Sequence, residues 1–135
     1  MLADEAIARY QPPPGSLRGR VIAVTGAGDG IGRAVAVAAA GLGAELILIG
    51  RTVKRLEAVE AEIAAPVESA PAAPAAPAAS IAPLDLERAL AGDYDRLAAA
   101  LLERYGRLDG LVHCAAALGA LAPIEHADMR NWCRV

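Results

Sequence analysis

The sequence predicts an α/β domain built on a doubly wound parallel sheet, and three observations predict it. Four short runs rich in Val, Ile and Leu recur along the chain, segments with helical apolar spacing separate them, and a glycine-rich turn joins the first run to the first helix. Alternation of this kind implies parallel strands joined by right-handed crossovers.

The first run, Arg20-Val21-Ile22-Ala23-Val24-Thr25, is β-branched and ends at glycines, as a buried strand does. Ile31, Val35, Ala38 and Leu42 then recur at helical spacing and stop at Gly43, so the turn opens straight into an amphipathic helix. Leu46-Ile47-Leu48-Ile49 lacks alternation, the pattern of a parallel strand covered on both faces, and Gly50-Arg51-Thr52 ends it. Thr52 is placed to cap a second helix with Leu56, Val59 and Ile63 inward and Arg55, Glu57, Glu60 and Glu62 mainly outward.

Residues 64–79 are low-complexity Ala/Pro, unable to hold a helix across repeated prolines and offering little to bury, so they read as an exposed insertion. The alternative, a docking segment for a proline-binding partner, lacks flanking aromatics or charges. Ser80 to Leu84 forms a third strand in which Pro83 requires a sheet edge or a strand end. Leu90, Tyr94, Leu97, Leu101 and Tyr105 mark a third helix, and Leu108 to Cys114 a fourth strand.

The chain has 135 residues, 56% of them apolar, which bounds it to one domain, and the core must come from Val, Ile and Leu because Phe is absent. A net charge of -3 with arginines scattered among acids excludes a broad nucleic-acid surface. The N-terminus carries acids where a secretory leader needs bases, and no apolar stretch is long enough to span a bilayer, so a cytoplasmic protein is expected. Cys114 and Cys133 lack C-x-x-C spacing and read as ordinary buried thiols; His113, Cys114, His126 and Cys133 match no zinc spacing, so no metal site is expected.

Residues 24–33 read V-T-G-A-G-D-G-I-G-R. The G-x-G-x-x-G register fails, because its last position falls on Ile31 or Arg33, and the P-loop fails for want of G-K-[ST], Lys54 being the only lysine. What stands is T-G-x-x-x-G-x-G. Gly26 allows a tight turn, Gly30 lets backbone approach a pyrophosphate, and Gly32 lets the helix pack closely on the strand, while the helix N-terminus offers N–H groups to the anion. An acidic residue after the second strand would hold the ribose of NAD or S-adenosylmethionine, but Gly50 and Arg51 stand there. Arg51 and Thr52 suit a 2'-phosphate, which favours NADP(H) over NAD(H); the alternative is a solvated surface arginine. Asp29 opposes that choice mildly, being negative near the phosphates.

These residues resemble the N-terminal half of the short-chain dehydrogenase/reductase family, a Rossmann-like fold. The resemblance rests on T-G-A-G-D-G-I-G, I-G-R-T after the second strand, L-D-L at 84–86 and L-D-G-L-V-H-C-A-A at 108–116. Y-Q-P with A-G-D-G-I-G is similar to a little-characterised bacterial oxidoreductase branch of it. The resemblance implies a lead over residues 1–18 and a partial dinucleotide-binding domain over 19–135, interrupted at 64–79. It implies a cofactor site drawn from Thr25, Gly26, Gly28, Asp29, Gly30, Ile31, Gly32, Arg51 and Thr52, with Asp85 and Leu86 near the adenine unless they only cap a helix. Residues 113–116, His-Cys-Ala-Ala, take the place of the family's N-N-A-G, so Cys114, Ala115 and Ala116 would line the ribose and nicotinamide side. Cys114 replaces an Asn that would brace the sheet and Ala116 replaces a glycine, while His113 reads as a packed strand residue rather than a catalyst.

Family chemistry is hydride exchange between nicotinamide and a carbonyl or alcohol, using Ser, Asn and Y-x-x-x-K. Tyr10, Tyr94 and Tyr105 are followed four positions later by Pro14, Ala98 and Asp109, so that motif is absent and no catalytic residue is assigned. By resemblance the sheet is expected to be truncated after its fourth strand, leaving an apolar edge through which copies self-associate. Residues 117–126 would form part of a substrate rim without specifying the substrate. Two other readings stand beside the oxidoreductase: a non-catalytic nucleotide-binding or scaffold module completed by a partner chain, and a methyltransferase-like domain weakened by Gly50-Arg51.

Overall fold

The computed structural model describes residues 10–65, 78–117, 123–126 and 128–130. Most of the Ala/Pro stretch, part of the 117–126 rim and Cys133 lie outside the described residues.

Strands β1 (Val21–Thr25), β2 (Glu45–Gly50), β3 (Ala79–Pro83) and β4 (Gly110–His113) form one sheet in the order β3-β2-β1-β4, with every pairing parallel. Helices α1 (Gly30–Gly41), α2 (Val53–Ala64) and α3 (Ala91–Tyr105) make the crossovers, and a 3₁₀ turn covers Ile124–His126. The expected fold class is therefore found. Pro83 sits at the last position of edge strand β3, where its missing N–H costs no ladder bond.

Period-two alternation sorts the sheet's side chains to two faces. Val24, Leu46 and Leu48 join Ala36, Ala39 and Ala40 of α1 and Leu56, Val59 and Ile63 of α2 in one core. Val21, Ala23, Ile47 and Ile49 point to the other face, where Leu97, Leu101 and Tyr105 of α3 pack against them. Helices on both faces make the sheet doubly wound.

Helix α1 departs from the expected face. Ile31 is 76% exposed and Ala38 is exposed, whereas Gly32, Ala36, Ala39 and Ala40 are buried. Small residues win the innermost positions because they let the helix axis close on the sheet, while Val35 and Val37 pack at the margin of the core and Ile31 is turned out of it. Thr52 occupies the N-cap of α2 without a side-chain capping bond, and Leu90 and Tyr94 of the α3 stripe are exposed. Strand β4 is shorter than expected, and His113 is exposed rather than packed.

At the sheet's N-terminal end Asp109 clasps β4 to β1. Its carboxylate accepts from Arg107, from the Val21 N–H at 2.9 Å and from Arg20 at 3.1 Å. The Arg107 guanidinium first, then the Val21 N–H, hold the Asp109 carboxyl well below the usual carboxylate range.

Candidate functional site

The opposite end of the sheet, at the C-terminal ends of the strands where β2 lies on one side of β1 and β4 on the other, holds a cleft of about 850 Å³. In open parallel sheets this switch point is where ligands bind. The predicted site residues Gly26, Gly28, Asp29, Gly30, Ile31, Gly32, Arg51, Thr52, Asp85, Leu86, Cys114, Ala115 and Ala116 all line it. Thr25 lies beneath its floor, 4% exposed.

The glycine turn is shaped by contacts from both sides. Gly26 has φ +66°, and a Cβ there would stand 2.8 Å from the Ala115 nitrogen, so the β1 turn touches the backbone that follows β4. A Cβ on Gly32 would stand 2.3 Å from the Gly26 carbonyl oxygen, which explains how close the first turn of α1 lies to the loop. Gly30, with φ +51°, has open space where a Cβ would point, so the loop's outer rim is free to meet a ligand.

Thr25 supplies a brace between the two chain exits. Its hydroxyl oxygen accepts from the Cys114 and Ala115 N–H groups, each at 3.1 Å, and sits 3.5 Å from the Val112 carbonyl. The loop that lacks the family's bracing Asn at position 114 is thus held from the neighbouring strand. No sequence pattern distinguished this threonine from the turn it begins.

The helix N-terminus provides the anion donors. The first in-helix bond joins the Arg33 N–H to the Asp29 carbonyl at 3.1 Å, which leaves the Ile31 and Gly32 N–H groups without intrahelical acceptors. Asp29 caps the helix, its carboxylate accepting from the Gly30 N–H at 2.8 Å and from Arg55 at 2.8 Å. Arg55 also lines the cleft; its sequence position had read only as an outward helix residue. At the cleft's edge Arg51 is exposed, and no carboxylate among the described residues forms an ion pair with it.

Across the cleft, the Asp85 carboxylate accepts from the Glu87 N–H at 3.2 Å, so it closes a turn after β3 rather than capping α3. Cys114 is half-buried, not fully buried as a structural thiol would be. Among the described residues no group of three or more His, Cys, Asp or Glu gathers as a metal site would.

The family model for short chain dehydrogenases matches residues 20–135. The chain belongs to the short-chain dehydrogenase family. It is 35% identical over 123 residues to the uncharacterized oxidoreductase YciK of Escherichia coli K12, covering 91% of this chain and 46% of that protein. A short-chain dehydrogenase from Pseudomonas syringae superposes with a TM-score of 0.80 at 40% identity, over 93% of this chain and 49% of that one. A short-chain dehydrogenase from Escherichia coli CFT073, solved with NADPH, superposes with a TM-score of 0.74 at 37% identity, over 91% of this chain and 48% of that one. The chain spans about half the length of these relatives. Its resemblance to the YciK-like branch of short-chain dehydrogenases is thereby found in sequence and in fold.

Proposed function

We propose that the cleft holds NADP(H) and that this chain forms the cofactor-binding half of a short-chain oxidoreductase acting on a small carbonyl or alcohol substrate. The observation that carries the reading is Arg51, exposed and without an ion-pair partner among the described residues, in the same cleft that presents the open first turn of α1. The open position over Gly30 and the two free N–H groups fit a pyrophosphate, and a planar guanidinium fits a 2'-phosphate. The NADPH-bound relative supports it.

In this reading the N–H groups of Ile31 and Gly32 hold the pyrophosphate, Arg51 and Thr52 take the 2'-phosphate, and Asp85 and Leu86 flank the adenine. Cys114, Ala115 and Ala116 line the ribose and nicotinamide side. When bound, the nicotinamide supplies or accepts the hydride. The Tyr105 hydroxyl is 2.7 Å from that of Ser80, Tyr94 lies on α3 and Lys54 on α2, so none of them forms a Y-x-x-x-K pair. Cofactor binding is therefore the part of the reaction these residues are proposed to carry, and no proton donor is assigned among them. In this reading the binding domain runs from Gly19 with residues 64–79 as an insertion, and the N-terminal acids, unlike the basic start of a secretory leader, favour a cytoplasmic protein. Among the described residues no helix is long and apolar enough to cross a membrane.

A fluorescence titration of the chain with NADPH, NADH and S-adenosylmethionine tests this. NADPH should bind most tightly, and Arg51→Ala should erode its advantage over NADH by about tenfold, the scale of a lost charge-assisted phosphate contact. Equal affinity for NADH or S-adenosylmethionine in the wild-type chain would overturn the reading.

A further inference from the structure

We propose that Arg55 is a positioning residue for cofactor affinity and preference, acting by neutralising Asp29 at the N-terminus of α1. The inference rests on the NADP(H) reading above and asks how a site that carries a carboxylate at its phosphate end tolerates a polyanion.

Asp29 stands at the place where anion donors converge. One oxygen of its carboxylate takes the Gly30 N–H at 2.8 Å, and the other takes Arg55 at 2.8 Å. Left alone, a negative group there would repel the incoming phosphates, and capping the helix would set one donor against the ligand. The Arg55 guanidinium cancels that charge while leaving the cap in place. Its approach is built into the backbone: a Cβ on Gly28 would lie 2.9 Å from the Arg55 Cβ, so only glycine at position 28 lets the first turn of α2 come this close to the loop.

The pair also joins the two halves of the cleft. Asp29 belongs to the loop before α1, and Arg55 to α2, the helix that follows Arg51, and all three residues line the cleft. Arg55 thus places a balanced pair beside the α1 N-terminus in the cleft that Arg51 also lines, where the uncompensated aspartate would act against the phosphate groups. NADPH carries more negative charge than NADH and should depend on the pair more. Both side chains are largely exposed, at 61% and 73%, so the effect is moderate and salt-sensitive.

The test is a set of NADPH and NADH titrations on the wild-type chain, Arg55→Ala, Arg55→Lys, Asp29→Asn and the double variant Asp29→Asn/Arg55→Ala, with thermal melts of each. Arg55→Ala should weaken NADPH by about fivefold, the scale of one like charge near the phosphates, and NADH by less. Arg55→Lys should stay near wild type, and the double variant should recover most of the lost affinity. Failure of Asp29→Asn to rescue, or an equal loss with lysine, overturns the proposal while leaving the NADP(H) site standing. A loss that tracks a lowered melting temperature and is not rescued also overturns it. Absence of NADPH binding in the wild-type chain removes both this inference and the reading it rests on.

Discussion

Single glycines in the turn after β1 do different work, and the difference is measurable. A Cβ on Gly32 would collide with the Gly26 carbonyl at 2.3 Å, a backbone atom that cannot move aside. Gly32→Ala should therefore lower folding stability by ~2 kcal/mol or more, as overpacking against fixed atoms does. Gly30 meets nothing within 4 Å, so Gly30→Ala should cost about 1 kcal/mol for its φ of +51° and act mainly on the ligand. Thermal melts and NADPH titrations of the two variants should separate: loss of the fold in the first, loss of binding with the fold kept in the second. Thr25 is the residue that sequence reading undervalued. T-G looked like the start of a phosphate turn, whereas the buried hydroxyl's weight lies in two N–H groups 89 and 90 residues away in the chain.

Elements were legible where one local rule governed them. The inward stripe of α2, Leu56, Val59 and Ile63, was readable because large apolar residues at helical spacing are also the ones buried there. That rule failed for α1, where close approach to the sheet selects Gly32, Ala36, Ala39 and Ala40 and turns Ile31 into the cleft. Strand β4 is fixed to β1 by the Asp109 clasp as well as by its ladder. With its carboxyl held below its ordinary value of 3.8, Asp109 contributes stability that is present above that value and is lost as pH falls through the folded value. Melting temperature should thus drop more steeply for the wild type than for Asp109→Asn between about pH 4 and pH 2. Parallel acid limbs for the two proteins would remove the clasp from the account.

At the scale of the molecule, the two faces of the sheet are covered unequally. On the face packed by α3, Leu111 of β4 stands opposite Ala23 yet remains 49% exposed, and Leu108 is 46% exposed. Beta-strand edges with apolar side chains and open ladder groups are templates for pairing. The 135-residue chain by itself should self-associate as its concentration rises, and Leu111→Lys should reduce this; a single monomeric boundary at every concentration in sedimentation velocity would refute it.

The sequence by itself determined the strand–turn–helix order, the T-G-x-x-x-G-x-G register, the arginine after β2 and the absence of Y-x-x-x-K, because each is written within about ten consecutive residues or is a matter of residue type. Only the tertiary structure decided that Gly26 abuts Ala115, that Thr25 braces Cys114 and Ala115, and that Arg55 pairs with Asp29. Those contacts join segments that meet through sheet register and helix packing. Periodicity within either segment carries no information about the distance between them.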